Sequence, residues 1–244
     1  MSGIIIFSIL LVLMLTGMPV SISLGLTVLS FIFLFTQVPI EAVALKLFTG
    51  IEKFEIMAIP FFILAGNFLT HGGVARRMIN FATSMVGHWH GGLGLGAVVA
   101  CALFAAVSGS SPATVAAIGA ILLPAMVKAG FPKKFGAGVI TTSGGLGILI
   151  PPSIVMVMYS VTTNTSVGAL FMAGVIPGAM LATLLGLTTW WIARRNNYPR
   201  LPKASWGQRL KALKDSIWGL MLIVIVMGGI YSGIFTATEA AAMS

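Results

Sequence analysis

The chain has 244 residues, of which 58% are hydrophobic and only 8% are charged. Soluble domains carry about 25% charged residues, so this composition excludes a water-soluble globular domain and indicates an integral membrane protein. The net charge of +9 does not indicate nucleic-acid binding, because the basic residues lie in short loops between apolar runs, as the positive-inside rule describes.

The apolar runs predict an all-α, polytopic membrane protein, since no segment shows the alternation of barrel strands. Residues 3–16 and 19–35 form two short spans, separated by Gly17 and Pro19. The first span lacks the basic start and the cleavage site of a signal peptide, so we predict that it is retained. The more polar residues 36–55 predict a short amphipathic surface helix and then a loop.

A third span is predicted over residues 56–70, with Asn67 near its far end. For Asn67 an interfacial cap is favoured over a role in a site. Residues 72–87 are amphipathic and predict a helix lying in the plane of the membrane interface. Its apolar residues recur at helical spacing at Val74, Met78, Phe81 and Met85.

The remaining chain alternates apolar runs with polar or basic stretches. The apolar runs are residues 91–107, 112–127, 135–161, 167–193 and 217–235. The last of these is preceded by a basic stretch, residues 194–214, which is amphipathic in its second half. The basic clusters are Arg76 with Arg77, residues 128–134, and residues 194–214.

These clusters fix a predicted orientation. If residues 91–127 leave and return on one side of the membrane, all three basic clusters fall on the same face. That face is predicted to be cytoplasmic, with the N-terminus outside. A re-entrant hairpin and two full spans return to the same side, so the count of spans leaves both open.

A polar cluster joins the runs 91–107 and 112–127. It contains Ser108, Gly109, Ser110 and Ser111, followed by Thr114 at the start of the next run. Hydroxyls and freed backbone carbonyls are oxygen ligands suited to sodium, and the N–H groups at a helix start suit a carboxylate. An ordinary external turn is the alternative, because Ser, Gly and Pro are turn residues.

A second polar interruption lies in the run 135–161. It comprises Thr142, Ser143, Gly144, Gly145, Gly147, Pro151, Pro152 and Ser153. A kinked continuous helix is one interpretation of this segment. Two neighbouring interruptions, however, favour the site of a secondary transporter built from discontinuous helices.

Other chemistries have weaker support. Cys101 is the only cysteine, and His71, His88 and His90 fit interfacial loops better than a metal site. The sequence has no Gly-Lys-Ser/Thr loop for ATP and no His or Asp at membrane depth to activate a serine, so we predict no enzyme and no cofactor. The spans contain no ionisable residue, which favours coupling to sodium over a proton relay. A channel-like or structural subunit is the alternative function.

Four motifs resemble one family, the large membrane subunit of tripartite ATP-independent periplasmic (TRAP) transporters. They are IPFFILAGN at residues 59–67, SGSSPATVAAIG at 108–119, GILIPPS at 147–153 and GIFTATEAAA at 233–242. The resemblance covers essentially the whole chain. It implies an elevator fold of the ion-transporter superfamily with two inverted repeats, driven by a sodium gradient in the bacterial inner membrane.

The resemblance also implies roles and partners. Residues 108–114 would be the tip of a re-entrant hairpin, and residues 143–147 the unwound helix beside it. Together they would form part of a sodium and substrate site, with Ser108, Ser110 and Gly145 as candidate sodium ligands. The implied partners are a small membrane subunit, a periplasmic substrate-binding protein, the carboxylate substrate and membrane lipid.

The same resemblance indicates substrate and organisation. Sialic-acid members carry an acidic residue in the tip where this chain has Thr114, so the sequence looks more like the C4-dicarboxylate branch. Family members are longer and contain a second repeat, so we expect this chain to correspond to the first. The predicted regions are 1–55 (scaffold helices), 56–90 (span and surface helix), 91–166 (transport region), 167–235 (two spans and a basic arm) and 236–244 (start of the second repeat).

Overall fold

The computed structural model describes residues 2–243, and every regular element in that part of the chain is helical. The helices are α1 Ser2–Leu15, α2 Val20–Phe35, α3 Ile40–Ile51, a 3-10 turn Phe54–Met57, α4 Ala58–His71, α5 Val74–Val86, α6 Gly92–Ser108, α7 Ser111–Lys128, α8 Lys133–Gly144, α9 Leu146–Leu149, α10 Ile154–Thr163, α11 Val167–Arg195, α12 Trp206–Tyr231 and α13 Ala237–Met243.

The lengths and composition of these helices fit a polytopic membrane protein. Five stretches are long and apolar enough to cross a membrane: Phe54–His71, Ser111–Lys128, Lys133–Thr163, Val167–Arg195 and Trp206–Tyr231. The shorter apolar helices Gly3–Leu15, Val20–Phe35 and Gly92–Ser108 accompany them. The prediction of an all-α, multi-pass protein is therefore confirmed at this level.

The chain divides into two compact units, Met1–Glu52 and Lys53–Ser244. In the first unit α1 packs against α2, and α2 buries Ser23 and Thr27. The Thr27 hydroxyl donates to the Ser23 carbonyl at 2.6 Å, which satisfies it within its own helix. Helix α3 confirms the short helix predicted between residues 36 and 55. The finer division of the second unit into transport and arm regions stays a prediction.

In the second unit the core forms around α6. This helix packs against α5, α7, α8 and α11, and Phe104 and Cys101 at its centre are fully buried. Small residues allow the neighbouring helices to pack closely on α6. A Cβ at Gly96 would lie 2.6 Å from the Thr83 side chain, so the glycine allows α5 to approach closely.

The buried face of helix α5 matches the predicted apolar face only in part. The helix buries Ala75, Met78, Ile79 and Ala82, whereas Met85, which the sequence pattern placed on the apolar face, is 43% exposed. The buried face turns toward α6 and α12, so its apolar stripe packs on protein. The physical reason is that alanines, which carry little hydrophobic weight in the sequence pattern, permit the closest helix packing.

The last complete span also begins earlier than predicted. Helix α12 is continuous from Trp206, and it is started by a capping box in which the Ser205 hydroxyl accepts from the Gln208 N–H and the Gln208 side chain accepts from the Ser205 N–H. The second half of the basic stretch is thus the first turns of the span itself. The Ser216 hydroxyl donates to the Arg77 carbonyl at 2.9 Å and joins α12 to α5.

Aromatic and backbone contacts join three segments at one end of this unit. The Tyr198 ring contacts the rings of Phe131 and Phe135, with centroids 5.5 and 4.8 Å apart. The Leu201 N–H donates to the Gly87 carbonyl at 3.0 Å. These contacts bring the loop after α11 to the start of α8 and to the loop after α5, so the basic clusters 128–134 and 194–214 lie close together. Arg76 and Arg77 lie in the first turn of α5, at the other end of that helix from Gly87, so these contacts do not place the third basic cluster. The side of the membrane that this end faces stays a prediction.

Candidate functional site

The polar cluster between α6 and α7 is a tight helical hairpin tip. Helix α6 ends at Ser108, and Gly109 follows in the left-handed region with φ of 60°. Ser110 is extended, with φ of −131°, and α7 starts at Ser111 with Pro112 in its first turn. Glycine fits the left-handed position without strain, and proline is tolerated where no helical N–H bond is needed.

Ser108 and Thr114 hold the tip closed. Both side chains are buried, with 1% and 0% exposure, and their hydroxyl oxygens lie 3.0 Å apart. The Ser110 carbonyl accepts from the Thr114 hydroxyl at 2.9 Å and from the Thr114 N–H at 3.0 Å. The Ser110 N–H points to the Ser108 hydroxyl at 3.4 Å. This ring of hydrogen bonds fixes the tip.

The second interruption lies within the predicted segment, Thr142 to Ser153, but occupies only its later part. Gly145 is helical, with φ of −58° and ψ of −19°, so residues 143–147, which the resemblance implied to be unwound, are nearly continuous helix. The backbone becomes extended only at Ile150 and again at Ser153. The bond between Pro151 and Pro152 is cis. Glycines permit unwinding but do not force it, whereas two prolines remove two donors.

The two prolines leave carbonyl groups without their helical donors. In a continuous helix the carbonyls of Gly147 and Ile148 would accept from residues 151 and 152, which have no N–H. The carbonyl of Ile150 would accept from Ile154, but the Ile154 N–H donates instead to the Gly109 carbonyl at 3.0 Å. The break therefore takes backbone carbonyl groups of α9 out of the regular helical hydrogen-bond pattern.

The tip and the break touch through glycines. A Cβ at Gly109 would lie 2.8 Å from the Pro152 carbonyl oxygen, and one at Gly147 would lie 2.8 Å from the Ser111 nitrogen. A Cβ at Gly144 would meet the Val115 side chain at 2.1 Å. Any side chain at these positions would separate the two elements, so the sequence of the break is fitted to the sequence of the tip.

Two serine hydroxyls stand out at this contact. Ser143 and Ser153 are both 0% exposed, and neither hydroxyl has a hydrogen-bond partner among the described residues. Ser143 precedes Gly144, and Ser153 lies between Pro152 and Ile154, so both adjoin residues that touch the tip. A buried hydroxyl without a partner costs about 1–3 kcal/mol, so these two oxygens are candidates for binding a ligand.

The structure therefore brings most of the predicted site residues together and leaves one apart. Ser108 to Ser111 and Thr114 meet the segment that contains Ser143, Gly144, Gly147, Pro152 and Ser153. Pro151 is buried and Gly145 is half-buried beside them. Thr142 is exposed, and its hydroxyl donates to the Gly138 carbonyl of its own helix at 2.8 Å, so it turns away from the tip.

Sequence reasoning missed the contribution of α4. A Cβ at Gly66 would lie 3.3 Å from the Ser108 Cα, which places α4 directly against the tip. A cavity of about 500 Å³ lies beside it, and Asn67, Ser108 and Ser110 are among its lining residues. The interpretation of Asn67 as a cap was wrong, because the C-cap residue of α4 is Gly72. A lone amide next to a glycine inside an apolar helix was the available signal.

Metal-binding clusters do not account for this site. Within residues 2–243 no three His, Cys, Asp or Glu side chains are grouped in a way that could hold a metal ion. The oxygens available at the tip and the break are neutral hydroxyls and carbonyls.

Comparison with known proteins identifies the chain. The family model described as "Tripartite ATP-independent periplasmic transporter, DctM component" matches residues 7–244. The chain belongs to this family. The tip and the break of this DctM-family chain both lie within the matched residues, and the resemblance drawn from its motifs is confirmed.

Individual relatives support the same family assignment. The protein named C4-dicarboxylate TRAP transporter large permease protein DctM from Rhodobacter capsulatus is 73% identical, over 100% of this chain and 59% of that protein. The protein of the same name from Vibrio cholerae is 50% identical, over 98% of this chain and 53% of that protein. The sialic acid TRAP transporter large permease protein SiaM from Vibrio cholerae is 40% identical, over 95% of this chain and 54% of that protein. The chain spans about half the length of these relatives.

Proposed function

We propose that the protein to which this chain belongs is the membrane permease of a sodium-coupled importer of C4-dicarboxylates. A periplasmic binding protein would deliver the substrate, and a small membrane subunit would complete the complex. The observation that carries this proposal is the meeting of the hairpin tip with the Pro-Pro break, where two buried serine hydroxyls have no hydrogen-bond partner within residues 2–243.

The sodium ion would bind among oxygens of the break. The hydroxyls of Ser143 and Ser153 and the backbone carbonyls freed by the two prolines are the ligands that broken helices offer to coupling ions. Ser108 and Ser110 would take part from the tip side. The Ser108 hydroxyl is shared with Thr114 at 3.0 Å, and a hydroxyl oxygen has two lone pairs, so one interaction does not exhaust it. The Gly145 carbonyl accepts from the Ile148 N–H at 3.1 Å and retains a second lone pair.

A carboxylate would bind at the start of α7. Ala113 lines the cavity beside the tip, its N–H is one of those that a helix start leaves without a helical acceptor, and the helix dipole favours negative charge there. The cavity of about 500 Å³ next to the tip has the size of a small-molecule site. The Asn67 amide at its wall could donate a second hydrogen bond to the substrate.

The relatives favour a C4-dicarboxylate over other acids. Three relatives named for C4-dicarboxylates are 73%, 50% and 53% identical to this chain. Those named for sialic acid or 2,3-diketo-L-gulonate are 40% and 39% identical. Thr114, which closes the tip by hydrogen bonding, also places no charge there.

An elevator movement would carry the tip and the break together. The hydrogen bond from Ile154 to Gly109 and the contact at Gly147 join them at backbone level. Sliding between them would break that hydrogen bond, so the two are expected to move as one body.

The test is sodium-driven uptake by the full-length protein with its two partners in proteoliposomes. Uptake of labelled succinate should require an inward sodium gradient, and excess unlabelled fumarate should compete where sialic acid does not. Ser143→Ala and Ser153→Ala should raise the sodium concentration needed for half-maximal uptake by tenfold or more. The matched control is Thr141→Val, which alters an exposed hydroxyl bonded to its own helix.

The same experiment distinguishes the proposed carrier from the alternative, a channel-like or structural subunit. A carrier accumulates succinate above the outside concentration and stops when the sodium gradient is dissipated. Equal sodium dependence in the wild type, Ser143→Ala and Ser153→Ala would refute the site. Equilibration without accumulation would favour the channel.

A further inference from the structure

An apolar groove lies on the second unit, away from the tip. It is formed between α6 and α11 and has a volume of about 480 Å³. Its lining includes Leu95, Val99, Leu187 and the rings of Trp89 and Trp190. Thr183 is the polar exception in its wall, and its hydroxyl is already bonded to the Ala179 carbonyl at 2.7 Å. The lining contains no charged side chain that would pair with a dicarboxylate.

Gly186 opens the groove. A Cβ at this position would have nothing within 4 Å, so the open space of the groove extends to the backbone of α11. From Trp190 to Ala182 the groove follows eight residues of α11, or about 12 Å at 1.5 Å per residue. That length is close to half of a hydrocarbon core of about 30 Å, which is the depth of one leaflet.

The mouth of the groove is basic. The Arg194 guanidinium lies 5.3 Å from the centroid of the Trp190 ring, and His90, next to Trp89, contacts Arg200. Desolvation, followed by the charges of Arg200 and Arg194, lowers the pKa of His90. Residues 86–99 and 182–204 contain no Asp or Glu, so no acidic side chain from these segments offsets this charge.

We propose that this groove is a specific binding site for an anionic phospholipid. One acyl chain would lie along α11 past Gly186, and the phosphate would sit between Arg194 and Arg200. The arrangement follows the general chemistry of basic pockets between membrane helices, which recognise anionic headgroups. Trp89 and Trp190 are suited to the boundary between headgroup and chain, where amphipathic rings are enriched.

The occupant is identified by the combination of charge and shape. A free phosphate would use the arginines but not the groove, and a neutral lipid would use the groove but not the arginines. An anionic phospholipid uses both. The site does not depend on the sodium-coupled function proposed above, since it shares no residue with the tip or the break.

The test is native mass spectrometry of the full-length protein, purified in detergent and titrated with lipids of identical acyl chains. Phosphatidylglycerol should be retained more tightly than phosphatidylcholine, and glycerol phosphate should not displace it. A basic residue near an anionic headgroup contributes about fivefold to binding, so Arg194→Gln combined with Arg200→Gln should weaken it about 30-fold. Gly186→Phe should abolish retention by filling the groove.

Matched controls separate this site from general lipid attraction. Lys211→Gln with Lys214→Gln removes two exposed charges from α12, and Gly228→Phe fills equally open space there. Both should retain the lipid like the wild type. Equal retention of the two lipids, equal losses in test and control variants, or displacement by glycerol phosphate would overturn the proposal. Circular dichroism melting of each variant without added lipid identifies any loss that comes from unfolding.

Discussion

One methyl group at Gly147 tests the contact between the tip and the break. The Cβ of an alanine there would lie 2.8 Å from the Ser111 nitrogen and 2.9 Å from the Ser110 carbonyl carbon. Both are backbone atoms, so no side-chain rotation can relieve the overlap. Helix propensity acts in the opposite direction, because alanine is better than glycine in a helix by about 1 kcal/mol.

The overlap is expected to outweigh the gain in helix propensity, which predicts the sign of the change in the free energy of unfolding. Inserting a methyl group into a packed contact destabilises a protein by about 1–3 kcal/mol, so Gly147→Ala should lower the free energy of unfolding by up to about 2 kcal/mol after the propensity gain. Gly138→Ala is the control, since its Cβ would meet nothing within 4 Å. It should be neutral or stabilising by up to about 1 kcal/mol.

The assay is thermal unfolding of the full-length protein in detergent, with succinate uptake measured on the same preparations. Gly147→Ala should melt below the wild type and lose uptake, while Gly138→Ala should melt at or above the wild type. If Gly147→Ala proves as stable as Gly138→Ala, the close packing of the tip against α9 is refuted.

Three further expectations concern other parts of the chain. Sodium should raise the melting temperature of the wild type, because an ion that binds only the folded state stabilises it; Ser153→Ala should lose this shift and, without sodium, should melt at or above the wild type. Ser205→Ala should destabilise the start of α12 by about 0.5–2 kcal/mol, seen as faster amide exchange there while sodium-driven uptake persists. Desolvation and the charges of Arg200 and Arg194 lower the pKa of His90 from its usual 6.5, so the unfolded chain binds more protons below that pH. Stability should therefore fall as the pH drops below about 6.5, and Arg200→Gln should raise the pKa of His90 in an NMR titration; an unchanged pKa would contradict the assigned cause.

The sequence pattern was reliable for whole helices and weaker for their faces and interruptions. Hydrophobic runs located α4, α7 and α11 within a few residues, because about 20 apolar residues are needed to cross a bilayer. The apolar face of α5 was predicted only in part, since the pattern found Met78 but weighted Met85 above Ala75 and Ala82. Packing on α6 reversed that order, because short side chains allow the backbones to approach.

The break was likewise predicted as a segment but not in its detailed backbone structure. Residues 143–153 were recognisable as an interruption that included both prolines, yet the resemblance implied unwinding at residues 143–147, whereas the extended backbone lies at Ile150 and Ser153. The position of Asn67 beside the tip was also hidden, because only the approach of Gly66 to Ser108 brings α4 there.

The sequence by itself determined that this chain is a helical membrane protein of the DctM family with two polar interruptions, since composition, run length and four motifs are local properties. The tertiary structure decided how those interruptions meet. Hydrogen bonds such as Ile154 to Gly109, the contact permitted by Gly147 and the burial of Ser143 and Ser153 depend on residues distant in the chain. Such contacts follow from the packing of whole helices, which no single segment specifies.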